Sequence, residues 1–205
     1  MNEESSKLSL GLGAAGVRIS PGEFDAAMDY DSSYRYELLE GRLVVRSIAG
    51  EAEAEPNRYL GRLLWAWHRE HPQGGLLDLT LADRVIHFPE SRRVADRVLW
   101  AGLGRRPDPA VDPPTIAIDF VQAERRGFLA DYEERRRAYA ELGVAEYWLV
   151  DRFRPGMYVS PRGGETVFVA ENETYATELL PGFELPLPEL LVLADSWEVP
   201  PENPQ

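Results

Sequence analysis

The sequence contains no cysteine, which excludes a disulfide framework and any metal site built from thiolates. It also lacks an apolar run approaching the roughly 18 residues that a membrane helix requires. The first residues carry acids and have no long apolar segment of the kind found in secretory signal peptides. We therefore expect a cytoplasmic protein with no membrane partner.

Basic residues are scarce and almost all of one kind. Lysine and arginine total 22 against 35 acidic residues, the net charge is −13, and Lys7 is the only lysine. This balance opposes nonspecific binding to a nucleic-acid backbone, which depends on basic side chains. Arginines nevertheless occur in groups, as at 135–137, and a guanidinium suits bidentate contacts to phosphate. A local phosphate-binding groove and an ordinary arginine-rich surface are both compatible with this pattern.

What the sequence does contain is typical of a globular domain. Hydrophobic residues make up 44% and charged residues 28% of its 205 residues. We expect disordered tails over residues 1–18 and 196–205, with a single domain over residues 19–195 between them.

Residues 114–151 predict the centre of the fold. Pro114–Val121 is a β-rich apolar run, and Asp131–Leu142 has helical spacing and is followed by Gly143, a residue typical of helix ends. Tyr147–Val150 reads as a second buried strand. A strand, helix and strand of this size favour two parallel strands joined by a crossover helix.

The rest of the chain predicts a hairpin, further helices and short strands. Trp100, at the edge of a Gly/Pro-rich loop, is a candidate for contact with a substrate. The predicted segments are helices over 21–28 and 57–70, a hairpin over 34–45 with its turn at Glu40-Gly41, a polar loop over 51–56, strands over 76–81, 83–88 and 93–100, the Gly/Pro-rich loop over 101–113, and antiparallel strands over 157–160, 165–170 and 174–180.

Two acids, Asp96 and Asp119, fall inside predicted strands. A carboxylate in an apolar strand is costly unless it is paired or bound to a cation. Two acids at the same depth of adjacent strands can hold Mg²⁺, which activates water and stabilises charge on phosphate. Strand aspartates also occur as edge residues or as partners of arginine, and the spacing leaves both interpretations open.

Four segments resemble a known family: YELLEGRLVV, RVADRVLW, PTIAIDFV and DYEERRRAYAELGVAEYWLVDRF. They are similar to the Uma-type family of restriction endonucleases, in the PD-(D/E)XK nuclease superfamily, over roughly residues 19–193. The resemblance implies an α/β fold, with a mixed central sheet flanked by helices and an antiparallel β extension. It also implies an endonuclease that hydrolyses phosphodiester bonds in DNA, and we expect a homodimer.

The same resemblance assigns the site residues. Asp96 and Asp119 match the two acids that bind Mg²⁺ or Mn²⁺, Arg135 matches the catalytic lysine, and Glu37 matches an acidic hairpin residue, with Glu40 nearby in the turn. Asp131 would begin the helix that carries Arg135. An alternative interpretation places Arg135 on a solvated helix face that is lined with ion pairs.

Departures from the family pattern leave the activity open. Ala95, Asp119, Gln122 and Arg135 stand where the family has proline, glutamate, serine and lysine. Arginine keeps the charge but does not transfer a proton near neutral pH, which predicts a partly degenerate site. The alternative is an inactive nuclease-fold protein that acts as a binding or oligomeric module. A third hypothesis is an enzyme that acts on a smaller phosphate compound.

Overall fold

The computed structural model describes residues 9–48, 50–121 and 128–195. Four α-helices lie in this part of the chain: α1 (Pro21–Ala26), α2 (Glu51–Glu70), α3 (Phe128–Leu142) and α4 (Leu187–Asp195). Short 3₁₀ turns occupy Leu12–Ala14 and Gly74–Leu76. Within the described ranges, no helix combines the length and apolar character needed to cross a membrane.

Twelve strands accompany these helices in the described residues. They are β1 (Ser9–Leu10), β2 (Asp29–Tyr30), β3 (Tyr34–Leu39), β4 (Arg42–Ser47), β5 (Leu77–His87), β6 (Arg92–Ala101), β7 (Ile116–Phe120), β8 (Glu146–Asp151), β9 (Gly156–Pro161), β10 (Val167–Ala170), β11 (Thr174–Ala176) and β12 (Glu184–Pro186). The chain divides into two compact units, one comprising residues 1–48 and 85–94 and the other comprising residues 49–84 and 95–205.

The first unit contains the predicted hairpin of β3 and β4. Leu38 pairs with Leu43 across it, and the turn residues Glu40 and Gly41 have φ values of 49° and 74°. Two positive φ values are what a tight two-residue hairpin turn requires, so the predicted turn is confirmed. The pattern Ser20-Pro21-Gly22-Glu23 predicts a capping box, and in the structure Ser20 is the cap residue before α1 and forms this box with Glu23.

Part of the predicted N-terminal tail has a defined structure in the first unit. Strand β1 pairs in parallel with β2, and Leu10 is buried. The hydroxyl of Tyr36 donates a hydrogen bond to the carbonyl of Leu10 (2.9 Å). The extent of the domain, given as residues 19–195, stays a prediction.

The second unit is built on a mixed sheet with the strand order β10, β9, β8, β7, β6. Strands β7 and β8 are parallel, whereas the other neighbours along this path are antiparallel. The parallel pair with its crossover helix α3 confirms the predicted centre of the fold. The antiparallel extension is also confirmed, because β9 and β10 widen the sheet. Strand β11, predicted as part of it, instead pairs with β12 in a separate small sheet.

Helices cover both faces of this sheet. Ile118 and Trp148 contribute to an apolar core that also contains Leu60 and Leu64 of α2 and Leu190 of α4. Side chains alternate across a strand, so residues 117, 119 and 147 face the opposite side. There the rings of Tyr132 and Tyr139 of α3 pack on that of Tyr147, with centroids 6.0 and 5.0 Å apart.

The predicted starts of two helices were wrong. Residues 51–56 form the start of α2 rather than a polar loop, although Pro56 lies inside the helix. Acids in the first turn interact favourably with the helix dipole, and Arg58 forms ion pairs with both Glu51 and Glu55. Helix α3 begins at Phe128, so Asp131 lies in its first turn instead of at its start.

Candidate active site

Asp96 and Asp119 lie together where strands β6 and β7 stop pairing. The last paired residues are Arg97 and Ile118, and the two acids come next on each strand. The backbone N–H of Asp96 donates to Oδ1 of Asp119 (3.2 Å), and the N–H of Phe120 donates to Oδ2 of Asp96 (2.7 Å). The two carboxylates therefore replace backbone carbonyls as acceptors at the point where the strands separate.

Both aspartates are buried, and Arg135 is buried beside them. The exposed fractions are 5% for Asp96, 7% for Asp119 and 8% for Arg135. Nη1 of Arg135 lies 3.4 Å from Oδ2 of Asp119, and its Nε lies 3.4 Å from Oδ2 of Asp131, one turn earlier on α3. The guanidinium thus faces the sheet, unlike a side chain on a solvated helix face. Three of the four predicted catalytic residues are brought together here.

Burial dominates the electrostatics of this cluster. Burial raises the pKa of Asp119 from its usual 3.8 to about 6, even though the Arg135 guanidinium lowers it. The negative charge of Asp96 adds to the rise. The rise therefore comes mainly from burial, which disfavours the ionised form of the Asp119 carboxyl.

Tyr147 is a member of the cluster that the sequence did not identify. Its hydroxyl donates to Oδ2 of Asp119 (3.0 Å), and the side chain is 2% exposed. Burial and the charge of Asp119 raise the pKa of Tyr147 well above its usual value, which keeps the phenol protonated as a donor. The sequence does not show the register of the two strands. Tyr147 lies opposite Ala117 on β7, and because side chains alternate along a strand, Ala117, Asp119 and Tyr147 share one face of the sheet.

Glu37, the fourth predicted site residue, lies in the first unit and is fully buried. Its Oε1 accepts the N–H of Val94 (2.8 Å), and its Oε2 lies 3.1 Å from Nε of Arg46. Glu40 is exposed in the hairpin turn. Among the residues that the structure describes, no group of three histidine, cysteine or acidic side chains is arranged to hold a metal ion. Gln122 lies outside the described residues.

A second polar network lies on the other side of β6. The Nδ2 of Asn57 on α2 donates to the carbonyl of Asp96 (2.7 Å). The Arg97 guanidinium donates from Nε to Oδ1 of Asn57 (2.7 Å) and from Nη2 to its carbonyl (2.9 Å). Burial lowers the pKa of Arg97 to about 10, which reflects the cost of placing this cation inside the protein. The network fixes the backbone of Asp96 to α2.

Gly61 gives the Arg97 guanidinium room against α2. A Cβ at this position would lie 2.7 Å from Nη2 and 3.1 Å from Cζ of Arg97. Alanine normally stabilises a helix interior by up to about 1 kcal/mol over glycine. Here we expect Gly61→Ala to destabilise the protein by about 1 to 3 kcal/mol, because a buried arginine loses its partners. Urea unfolding measures this change.

A double-mutant cycle provides the control for Gly61→Ala. In an Arg97→Ala background the added methyl meets no guanidinium, so the same substitution should be neutral or stabilising. A cost that is equal in both backgrounds would contradict the proposed clash.

The expectation for Trp100 was wrong. The indole is 1% exposed, and its Nε1 donates to the carbonyl of Asp112 (2.9 Å), so it offers no surface to a substrate. The Gly/Pro-rich loop that follows joins the ends of β6 and β7 that lie away from the two aspartates. An ion pair between Arg105 and Asp112 (2.6 Å) contributes to its structure.

The architecture matches that of a solved protein described as a nuclease. The crystal structure of "a putative nuclease belonging to DUF820" from Anabaena variabilis superimposes with a TM-score of 0.71. The two share 12% sequence identity over 86% of this chain and 99% of the other, a similarity that establishes the fold. No curated protein matches the chain.

The family assignment is more specific. Residues 22–188 match the Uma2 family, whose description reads "Putative restriction endonuclease". The match covers most of the chain, which therefore belongs to this family. The sequence-based family prediction and the predicted α/β nuclease fold are both confirmed.

Proposed function

We propose that the protein is a metal-dependent endonuclease that hydrolyses phosphodiester bonds in DNA, slowed by arginine in the position of the catalytic lysine. The observation that carries this proposal is the adjacency of two buried carboxylates and a buried guanidinium where β6 and β7 separate. Membership of a restriction-endonuclease family supports DNA as the substrate.

The donor set fits Mg²⁺ or Mn²⁺. Hard divalent cations prefer oxygen ligands, and Mg²⁺ is commonly held by one or two carboxylates with several waters. Asp96 and Asp119 would hold the metal. Burial raises the pKa of Asp119 to about 6, and a bound cation would stabilise its ionised form. Such a metal supplies an activated water and stabilises charge on the phosphate.

The chain's own residues have separate roles in this proposal. Arg135 stabilises negative charge that develops on the phosphate oxygens. Tyr147 fixes the orientation of the Asp119 carboxylate through its hydrogen bond. A role for Glu37 in positioning the metal or the water stays a prediction, and so does a homodimer.

Calorimetric titration with Mg²⁺ and Mn²⁺ tests the metal site. We expect the wild-type protein to bind at millimolar metal or below and Asp96→Ala to lose this binding, because a single aspartate is left. Asp112→Ala is the matched control, since Asp112, like Asp119, accepts from an arginine and a backbone N–H but lies in the loop after β6. Equal binding by Asp96→Ala would contradict the assignment.

DNA cleavage is tested with the same three proteins. Metal-dependent nicking of supercoiled DNA should appear in the wild type and in Asp112→Ala and be absent in Asp96→Ala. Cleavage that persists in Asp96→Ala would indicate a contaminating nuclease and would count against the proposal.

One observation favours the alternative of an inactive binding module. Each aspartate already accepts a backbone N–H, and Arg135 offsets part of their charge, so the cluster can serve to cap two separating strands. If the wild type binds neither metal at millimolar concentration, this structural role accounts for the acids. A smaller phosphate compound as substrate would instead give metal binding without DNA cleavage.

A further inference from the structure

The solvent face of α2 carries a stripe of two arginines and a tryptophan that the proposed chemistry does not use. Arg62, Trp65 and Arg69 are all exposed and stand at i, i+3 and i+7, which places them in one line along the helix. At about 1.5 Å per residue the line is about 10 Å long. We call it the arginine–tryptophan stripe.

Trp65 presents a large and ordered apolar surface. The side chain is 58% exposed, although a tryptophan is normally mostly buried. Its ring stacks on that of His68, with centroids 5.5 Å apart and planes 28° apart. Nδ1 of His68 lies 2.8 Å from the carbonyl of Gly74, which holds the imidazole in place. The indole is therefore supported before any ligand arrives, which lowers the entropy cost of binding.

The two arginines of the stripe have little local compensation. Arg62 lies 3.5 Å from Glu55, but Arg58 already contacts that carboxylate at 2.7 Å. The Arg62 guanidinium also contacts the Tyr59 ring, 5.6 Å from its centroid. No ion pair to Arg69 occurs within the described ranges, although Glu70 follows it in the sequence. A surface ion pair with this geometry is weak, so both guanidinium groups are accessible to an anionic partner.

We propose that the arginine–tryptophan stripe binds single-stranded nucleic acid, with a base stacked on Trp65 and phosphates contacted by Arg62 and Arg69. This inference rests on the proposed function in taking DNA as the substrate. Stacking on an indole requires an exposed base face, which a duplex does not offer. The net charge of −13 also opposes long backbone contacts, so a short stacking site is favoured over a duplex groove.

The stripe is a separate surface from the candidate active site. Asp119 faces α3, whereas α2 packs on the opposite face of the sheet, and the stripe lies on the side of α2 that points away from the sheet. It would therefore hold a displaced or unpaired strand rather than take part in the chemistry.

Tryptophan fluorescence during titration with oligothymidylate of roughly 16 nucleotides tests the stripe. The measurement uses Asp96→Ala in EDTA, so that neither metal nor cleavage contributes, and a Trp197→Phe background to reduce other emission. We expect saturable quenching that a duplex of the same length does not produce. Trp65→Ala should weaken binding about tenfold when followed by anisotropy of a labelled oligonucleotide.

Salt dependence distinguishes the roles of the arginines. For a single strand, the slope of log K against log salt changes by about 0.7 for each phosphate contact. Arg62→Ala and Arg69→Ala should each reduce the slope by about this amount. Arg136→Ala should leave it unchanged, because Arg136 is a partly exposed arginine on α3 that is paired with Glu133.

Two results would overturn the inference. One is oligothymidylate binding with the same affinity and salt slope in Trp65→Ala and both arginine variants. The other is a failure of the protein with Trp65 intact to bind oligothymidylate; a Trp65→Ala change in sedimentation would then identify the stripe as a contact between copies of the chain. Failure of metal-dependent cleavage leaves this test intact, because it is made without metal.

Discussion

Replacing Arg135 with lysine should raise the rate of metal-dependent DNA cleavage by about tenfold to a hundredfold, within the range typical of proton transfer in catalysis. Arginine at this position keeps the positive charge near Asp119 but cannot exchange a proton near neutral pH. A lysine ammonium retains the charge and adds a group whose pKa shifts readily on burial. Single-turnover cleavage of supercoiled DNA at saturating Mn²⁺ measures the effect.

Arg136→Lys is the control for this substitution. Arg136 is the next residue on α3, but it is only partly buried and is paired with Glu133 at 2.8 Å. We expect no change in rate there. If Arg135→Lys leaves the rate unchanged while the wild type still cleaves, Arg135 does not occupy the lysine position. If the wild type and Arg135→Lys are both inactive but bind metal, the two acids are insufficient for catalysis even with a lysine beside them.

The features that the sequence predicted well depend on local chemistry. The turn at Glu40-Gly41 and the capping box of Ser20 each involve a few neighbouring residues, and both are present. Gly143 ends α3 with a φ of 105°, as its position after Leu142 predicts. Such features can be predicted from sequence because the residues involved satisfy backbone hydrogen-bonding groups within one turn of the chain.

Helix boundaries were less predictable where contacts override local preference. Proline usually ends a helix, so Pro56 favoured a loop before residue 57. In the structure Pro56 is buried, and Glu53 and Asn57 lie on the same buried side of α2. Packing of this side against the protein interior offsets the missing hydrogen bond of the proline.

Only part of the candidate site could be predicted from the sequence, again because some of its contacts depend on the folded structure. Asp96 and Asp119 were evident because an acid in an apolar strand requires a partner. Tyr147 and Asn57 depend on strand register and helix rotation, and neither is encoded in a single segment. Only the fold places the phenol from β8 against the Asp119 carboxylate and the amide from α2 against the backbone of Asp96.

The pH dependence of stability provides a test of the buried carboxylate that needs no nuclease activity. The pKa of Asp119 is about 6 in the folded protein against 3.8 for an ordinary aspartate, so the folded state binds this proton more tightly than the unfolded state does. Stability from this group is therefore greatest when the pH is low and falls as the pH rises through about 6. Between about pH 5 and pH 8 the loss should be about 1 to 2 kcal/mol.

Comparison with variants isolates this contribution from the other acids. Asp119→Asn removes the titration and should remove this loss, whereas Asp112→Asn should keep it. Arg105 lowers the pKa of Asp112 to about 2, so this carboxyl does not titrate between pH 5 and pH 8 in either the folded or the unfolded protein. Identical pH profiles for wild type and Asp119→Asn in urea unfolding would mean that Asp119 is not held as described.

Metal should abolish the pH trend if the two acids form the proposed site. Mg²⁺ binds ionised carboxylates and not protonated ones, so its stabilisation should be full above about pH 6 and should weaken below it. At saturating Mg²⁺ the stability of the wild type should therefore stay nearly constant between about pH 5 and pH 8, where the metal-free protein loses about 1 to 2 kcal/mol. If Mg²⁺ stabilises Asp119→Asn at pH 8 as much as it stabilises the wild type, the metal lies elsewhere. If Mg²⁺ stabilises neither protein, the aspartates act as strand caps, as the inactive-module alternative requires.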